Sequence, residues 1–237
     1  MSAVSVVIPH YFAERAPHLR RIATDLWRSS VQPAEILVWN NDTADSLPDL
    51  AGLGVTILQG HENGGCQARL LAAQRAAGTH VLFLDNDTTV ERETIANLLG
   101  WARRLPETIV TLEGRVVQPG SYRRWPKYYG RQLRTPQRVD LSLGRGELVP
   151  TAHLPALLAL YPFGQGEAMD DLWWSACAAW TGCPVYVVPC RRGRSALIDL
   201  PRYGTGISAT PDYYAARDRA VAAIRTRADR PEIWAHG

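Results

Sequence analysis

The sequence predicts an α/β fold with a mostly parallel central sheet. Short apolar runs alternate with segments of helical periodicity through the first half of the chain, which is the order that βαβ units require. Hydrophobic residues make up 46% of the 237 positions, which is enough for one sizeable core. No stretch has the composition of a linker or forms an internal repeat. We therefore expect a single domain over residues 1–237.

Spacing and composition define the elements of the first half. Four apolar runs predict buried strands at residues 4–8, 35–39, 55–58 and 81–84. Apolar residues at helical spacing predict helices over 17–29, 64–77 and 91–104. The pair Gly64-Gly65 opens the second of these helices, and Gly78 is its candidate C-cap.

After Pro106 the alternation becomes less regular. Strands are expected at 108–112, 115–118, 139–143 and 185–188, and helices at 153–160, 171–180 and 212–227. We therefore divide the domain into a front half over 1–105 and a more variable rear half over 106–237.

Positive charge is concentrated in one segment of the rear half. The chain carries a net charge of +3, yet residues 115–145 hold eight basic residues against one acid, so this segment is +7 and the remainder −4. It also contains Tyr122, Trp125, Tyr128 and Tyr129. Basic residues interleaved with aromatic ones are typical of an anion-binding or nucleic-acid-binding surface, and the alternative is a solvated loop.

Composition argues against secreted and membrane proteins. The chain opens on a strand-like segment, so no signal peptide is expected. Its longest apolar stretch, near residues 175–189, is broken by Gly182 and Pro184 and is too short to cross a bilayer. The four cysteines show neither metal-ligand nor disulfide spacing, and we expect buried free thiols. The prediction is a cytoplasmic protein without a membrane partner.

The tripeptide Asp85-Asn86-Asp87 directly follows the apolar run 81–84. A strand that stops there places two carboxylates, spaced i and i+2, at the carboxyl edge of the sheet. Two hard oxygen donors suit Mg²⁺ or Mn²⁺ held jointly with a diphosphate. The alternative is a strand end and a turn, with Thr88 capping the next helix. The surrounding motifs favour the first interpretation.

The ordered motifs of the front half resemble family two glycosyltransferases, which are sugar transferases with the GT-A (Rossmann-like) fold. The residues that carry the resemblance are, in order, Ser5-Val6-Val7-Ile8-Pro9 with Tyr11 and Glu14, Asn63-Gly64-Gly65 with Ala68-Arg69, Ala77-Gly78, and Phe83-Leu84-Asp85-Asn86-Asp87. They are similar to the family's opening strand and to its central signature of a glycine-opened helix and a strand ending in Asp-x-Asp. The resemblance implies a nucleotide-sugar donor, a UDP-hexose, and Mn²⁺ or Mg²⁺ as the cofactor.

The resemblance also implies a role for each matching residue. The residues expected to bind the nucleotide sugar are Pro9, Tyr11, Glu14, Asn40, Asn41, Asn63, Gly64, Arg69, Asp85 and Asn86. Asp87 would ligate the metal directly, Asp85 would contact ribose or metal-bound water, and Arg69 would support the diphosphate. Asn40 and Asn41 stand where the family usually has an Asp pair that reads the base, and neutral amides can still hydrogen-bond a uracil edge.

In the rear half, Asp170-Asp171 resembles the Glu-Asp pair that opens a helix behind the family's acceptor site. The Asp of that pair is the general base of inverting transfer, which takes a proton from the acceptor hydroxyl as it attacks the anomeric carbon. We assign the base to Asp171, with Asp170 as the second candidate. The alternative for both is a helix cap without chemistry. The candidate acceptor-binding residues are Arg123, Arg124, Trp125, Lys127, Trp173 and Trp174.

One departure from the family concerns the metal. Many relatives place a third ligand, often His, downstream of the base, yet no His occurs between His153 and His236. We therefore expect the metal to be held by Asp87 and phosphate, with Asp85 beside them.

The resemblance therefore implies an inverting, metal-dependent glycosyltransferase that acts on a saccharide or another small acceptor. One alternative is a phage-type DNA glycosyltransferase acting on a hydroxymethylated pyrimidine, which the basic segment 115–145 favours. A second is a non-catalytic nucleotide-sugar-binding protein. The presence of both Asp87 and Asp171 argues against the second, because a binding protein needs only the former.

Overall fold

The computed structural model describes residues 3–11, 13–41, 47, 50, 52–164, 169–201 and 210–234. In the front half the elements are β1 (Val4–His10), α1 (Ala16–Trp27), β2 (Glu35–Asn40), β3 (Val55–Gln59), α2 (Ala68–Ala73), β4 (His80–Phe83), β5 (Thr88–Val90) and α3 (Thr94–Arg104). In the rear half they are β6 (Ile109–Thr111), β7 (Glu113–Arg115), β8 (Lys127–Tyr129), β9 (Gln137–Val139), β10 (Leu141–Ser142), β11 (Glu147–Pro150), α4 (Leu154–Leu160), α5 (Asp170–Trp180), β12 (Val185–Val187), β13 (Leu197–Asp199) and α6 (Tyr213–Arg225).

A sheet of eight strands contains elements of both halves. Its order is β3-β2-β1-β4-β11-β6-β12-β9. Six strands run parallel, while β11 and β9 run antiparallel to their neighbours. The predicted α/β fold with a mostly parallel central sheet is therefore confirmed. Two smaller sheets, β10-β7-β8 and β13-β5, accompany it.

Helices cover both faces of this sheet. Val7 of β1 belongs to a hydrophobic cluster that also contains Leu70 of α2 and Leu172 of α5. Its neighbour Val6 belongs to a second cluster with Leu19 of α1. Successive residues of a strand point to opposite faces, so β1 is buried on both sides, which explains why its sequence is almost continuously apolar.

The carboxyl ends of β1, β2 and β4 meet at one edge of the sheet. His10, the last residue of β1, lies opposite Asn40, the last residue of β2. Asp85 follows β4 by two residues. The parallel arrangement therefore gathers the polar residues that follow several separate strands at one edge, where ligands of open α/β sheets bind.

The helix predicted over 64–77 is shorter than expected. A 3₁₀ turn at Gly65–Gln67 leads into α2, which ends at Ala73. Gly78 is therefore not its C-cap, and this prediction was wrong. A Cβ at Gly78 would lie 2.8 Å from the carbonyl oxygen of Ala3 and the nitrogen of Ser5. The glycine is needed for this close approach to the start of β1.

Several strand boundaries also differ from the prediction. The strand predicted at 115–118 lies at Glu113–Arg115, and that predicted at 139–143 is divided into β9 and β10, which join different sheets. Strands β5, β8, β11 and β13 were not predicted, since they are only three or four residues long and lack a clear alternation. Because β5 occupies residues 88–90, α3 begins at Thr94 rather than at residue 91.

None of the helices in the described ranges is both long and apolar enough to cross a lipid bilayer.

Candidate active site

The Asp85-Asn86-Asp87 segment lies at the sheet edge where the sequence placed it. The side chains of Asp85 and Asp87 are 34% and 20% exposed, whereas Asn86 is buried. Two carboxylates therefore remain accessible, with a buried amide between them. This is the alternation expected of a chain that leaves a strand.

Arg69 joins this edge to the start of α5. Its Nη2 donates to Oδ1 of Asp85 at 2.8 Å, and its Nε lies 3.0 Å from Oδ2 of Asp170. A third interaction links its Nη1 to the carbonyl oxygen of Gly144. Burial alone would lower the pKa of Arg69, but the charges of Asp170 and Asp85 outweigh it and raise the pKa. The guanidinium is thus a fixed, buried positive charge between two predicted site residues.

The paired acids Asp170 and Asp171 open α5 as predicted. Burial raises the pKa of Asp170 to about 6, although Arg69 opposes the shift. Asp171 forms an ion pair through Oδ2 with Nη2 of Arg217, which comes from α6. Each acid therefore has its own arginine, and the two face different parts of the molecule.

A second arginine holds the Asp-Asn-Asp segment from the other side. Nη1 of Arg15 donates to Oδ1 of Asn86 at 2.8 Å and lies 3.4 Å from Oδ2 of Asp87. Nδ1 of His10 lies 3.2 Å from Nδ2 of Asn86. The buried amide is therefore held by groups that follow or end β1, and this fixes the two partly exposed carboxylates on either side of it.

The predicted nucleotide-binding residues at the end of β1 and just after it are at least partly accessible to solvent. Tyr11 is 43% exposed, Glu14 is exposed, and Pro9 is half-buried. Their side chains are accessible at the same edge as Asp85. Asn63 is exposed as well, and its Oδ1 accepts a hydrogen bond from the nitrogen of Gly65 at 2.9 Å.

The amides of Asn40 and Asn41 are instead used within the protein. Oδ1 of Asn41 accepts from the nitrogen of Gly64 at 3.1 Å, and its Nδ2 donates to the carbonyl oxygen of Gly65. Asn40 is fully buried and donates to Oε1 of Gln59 at 3.0 Å. Asn41 thus shapes the glycine turn before α2. The base-reading role of Asn40 and Asn41 stays a prediction.

The tryptophans assigned to the acceptor lie in the core. Trp125, Trp173 and Trp174 are 3%, 7% and 3% exposed. The ring of Trp174 packs edge-on against Phe83, with centroids 5.9 Å apart. Trp173 and Trp174 lie on α5, which is buried on nearly all sides, and Trp125 belongs to the same hydrophobic cluster from a separate turn. All three rings are therefore used for packing in this structure.

Glu147 was missed by the sequence and lies beneath the site. It is 1% exposed in the central strand β11. Its Oε1 accepts from Nε1 of Trp174 at 2.8 Å, and its Oε2 accepts from Oγ of Ser142 at 2.7 Å. Burial raises the pKa of Glu147 to about 7, although both hydrogen bonds oppose the shift.

The basic segment 115–145 is only partly available to a partner. Lys127 pairs with Glu113 at 3.3 Å, and Arg145 pairs with Glu113 at 2.8 Å. Arg115 donates through Nη1 to two backbone carbonyls. Arg123 and Arg124, by contrast, are exposed. Three of the eight cations are thus engaged in holding small strands and turns together.

The residues at the sheet edge suit a divalent ion. Asp85 and Asp87 supply accessible carboxylate oxygens, the donor type that Mg²⁺ and Mn²⁺ prefer. Across the described ranges, no three His, Cys, Asp or Glu side chains cluster as a complete metal site. The protein therefore offers a partial ligand set, which suits an ion that takes its remaining ligands from phosphate and water.

Solved structures of known proteins share the fold of this chain. TarS 1-349 from S. aureus, solved with UDP-GlcNAc, is 18% identical, with a TM-score of 0.70 over 97% of this chain and 68% of that one. GalNAc-T7, solved with UDP, GalNAc and Mn²⁺, is 18% identical, with a TM-score of 0.63 over 91% of this chain and 47% of that one. No curated protein sequence matches the chain. The family model described as Glycosyl transferase family 2 matches residues 5–154, which is more than half of the chain. The protein therefore belongs to glycosyl transferase family 2 and is a glycosyltransferase with the GT-A fold.

Proposed function

We propose that this glycosyltransferase transfers a hexose from a UDP-sugar to an acceptor hydroxyl with inversion at the anomeric carbon. The observation that carries the proposal is the position of Arg69, which contacts Asp85 at the sheet edge and Asp170 at the start of α5. One guanidinium thus links the predicted donor side to the predicted acceptor side. The UDP-GlcNAc in the TarS structure, and the UDP and GalNAc in the GalNAc-T7 structure, support the choice of donor.

The chemistry follows from the charges around this guanidinium. The acceptor oxygen attacks the anomeric carbon, its proton passes to Asp171 or, as the second candidate, Asp170, and the bond to the diphosphate breaks. Arg69 and Arg15 provide fixed positive charge beside the negative charge that develops on the leaving group. When bound, Mn²⁺ or Mg²⁺ would be held by Asp87 and Asp85 and would add to this stabilisation.

A saccharide or another small molecule is the acceptor that we place first. The residues around Asp171 support it, because the nearest cation, Arg217, is paired with this carboxylate and buried. The DNA alternative rests on the exposed Arg123 and Arg124, and we treat it as an outcome to be tested. A non-catalytic binding protein would need no acid behind the acceptor position, whereas two acids open α5 here.

A screen of UDP-hexoses with Mn²⁺, read as donor hydrolysis and as transfer to saccharides, tests the proposal. In the same assay Asp171→Asn should keep donor affinity but lower turnover by roughly 10²-fold or more, the usual contribution of a positioned base. Asp229→Asn, an exposed acid near the end of the described chain, is the matched control. If Asp170→Asn is inactive and Asp171→Asn active, the base is the first acid of the pair. If both stay active, the pair is only a helix start.

A further inference from the structure

Arg217 is a buried cation that touches the proposed base and was not found from the sequence. It lies on α6 and is 3% exposed. Its Nη2 donates to Oδ2 of Asp171, and its Nη1 lies 3.8 Å from the sulfur of Met169. Burial alone would lower the pKa of Arg217, but the charge of Asp171 outweighs it and raises the pKa. The guanidinium is therefore charged wherever the protein is folded.

Aromatic rings fix the orientation of this guanidinium. Its Cζ lies 4.3 Å from the ring centroid of Tyr122 and 5.2 Å from that of Tyr213. Tyr122 is itself 2% exposed, and its backbone nitrogen donates to Oδ1 of Asp218 at 2.7 Å. The turn that carries Tyr122 is thus tied to α6, and Arg217 has little freedom to leave the position from which it meets Asp171.

The main chain of Asp171 is held from the opposite direction. Its carbonyl oxygen accepts from Oγ of Ser175 at 2.7 Å, and the same Oγ accepts from the nitrogen of Ser142 in β10 at 3.1 Å. Among the described residues, Oδ1 of Asp171 accepts no hydrogen bond. One carboxylate oxygen is therefore fixed by α6, while the other is left for a proton donor.

We propose that Arg217 is a positioning residue for the transfer reaction, which holds Oδ2 of Asp171 so that Oδ1 faces the acceptor hydroxyl. The inference rests on the proposed role of Asp171 as the base. It gives α6 a function in the reaction, whereas a simple packing role would require only that Arg217 join α6 to α5. A positioning role predicts that turnover and its pH dependence change when the planar guanidinium or its charge is removed, whereas a packing role predicts that they do not.

Two substitutions separate geometry from charge. Arg217→Lys keeps the charge but cannot reproduce the planar fork, and Arg217→Gln removes the charge. Arg219→Gln on the same helix is the matched control, because Arg219 is exposed and pairs with Asp212 away from Asp171. The assay is UDP-hexose hydrolysis with Mn²⁺ across pH, accompanied by UDP binding and thermal unfolding. The ionisable groups that interact with Asp171 are Asp170 on its own helix, Arg217 and Tyr213 on α6, and Tyr122, Tyr161 and Cys66.

Both variants should lower kcat by about 10- to 100-fold, with UDP affinity and donor KM unchanged, because the base is displaced while the donor side is intact. Arg217→Gln should also move the acid limb of the rate profile to higher pH, because it removes the positive charge that contacts the proposed base. Arg217→Lys should leave the limb in place. In the Asp171→Asn background, Arg217→Gln should cause no further loss.

A packing role predicts a different result. The inference would be overturned if the Arg217 variants lose only thermal stability, keep kcat within about 2-fold of the parent and show no shift of the acid limb. If Asp171→Asn is inactive in the same assay, the proposed function would still stand. If Asp171→Asn hydrolyses the donor as fast as the parent, the base assignment and this inference both fail.

Discussion

The Nε of Arg69 lies 3.0 Å from Oδ2 of Asp170. This contact joins α2, which follows the glycine turn of the front half, to α5 of the rear half. The other end of the same guanidinium contacts Asp85 at 2.8 Å. The relative position of the sheet edge and of the paired acids is therefore set by one buried side chain.

Replacing Arg69 should affect both the reaction and the fold. Arg69→Gln leaves Asp170 buried without its cation, which we expect to cost about 3 kcal/mol of unfolding free energy. It should also lower kcat/KM for the donor by roughly 10²-fold, as expected when fixed charge beside a leaving group is lost. Thermal unfolding and steady-state hydrolysis measure the two effects. Arg75→Gln, an exposed neighbour on the same segment, should change neither. Parent-like hydrolysis by the Arg69 variant contradicts the bridging role.

Asp87 should control metal-stimulated nucleotide binding. Titration of UDP with and without Mn²⁺, followed by calorimetry, should show that Mn²⁺ tightens binding to the parent by at least about 10-fold, because phosphate and carboxylate oxygens share the ion. Asp87→Ala should abolish this difference while retaining a cooperative thermal transition. Asp229→Ala serves as the control. If the parent binds UDP with equal affinity in Mn²⁺ and in EDTA, the metal assignment is wrong, and this result does not depend on an activity assay.

Glu147 should make stability depend on pH. Its pKa in the folded protein is raised by burial from 4.5 to about 7, so the folded state retains a proton that the unfolded chain has already lost. The contribution to stability is present below pH 4.5, is lost as the pH rises toward about 7, and stays lost above it. Glu147→Gln preserves the shape of the side chain but cannot titrate. The free energy of unfolding of this variant, relative to that of the parent, should therefore increase across this window by on the order of 2–3 kcal/mol.

Chemical denaturation of both proteins between pH 4.5 and 8 measures this difference. The exposed Glu62 provides the control Glu62→Gln, which should follow the parent at every pH. A Glu147→Gln protein that loses stability with pH as the parent does would mean that the carboxylate is solvated or compensated by another group.

The sequence was most informative where local order alone defines the structure. The position of Asp85-Asn86-Asp87 follows from an apolar run that stops at polar residues, and the GT-A resemblance follows from motifs in a fixed order. The contacts of Arg15 with Asn86 and of Arg217 with Asp171 join residues 71 and 46 positions apart. No periodicity identifies such partners, because both arginines lie among other charged residues and only the packed fold selects which one is buried.

The sequence also did not indicate which aromatic side chains are buried. Trp173 and Trp174 were assigned to the acceptor because their rings could stack on a sugar or a base. However, α5 is buried at most of its positions and has no strongly polar face to indicate which rings are exposed. The charge of segment 115–145 was counted correctly, but a count does not distinguish a solvent-exposed arginine from Lys127, which pairs with Glu113. These distinctions depend on tertiary contacts rather than on residue type.

Substitutions in the basic segment 115–145 test the DNA alternative, and the structure indicates which of its cations are free to contact phosphate. Arg123 and Arg124 are exposed, whereas Lys127 pairs with Glu113 and lies 4.4 Å from the ring centroid of Tyr129. If DNA is the acceptor, phosphate contacts should make log affinity fall with log salt by about 0.9 per phosphate, and the joint change of Arg123 and Arg124 to Ala should flatten that slope by up to about two units. Lys127→Ala is the matched control and should flatten the slope little, because the charge of Lys127 is engaged within the protein.

Fluorescence anisotropy of a hydroxymethylated duplex at several salt concentrations gives the slopes, with UDP binding as the check that the donor side is intact. A small saccharide acceptor predicts no measurable duplex binding even at low salt, and in that case Arg123 and Arg124 belong to a solvated surface and the DNA alternative is removed.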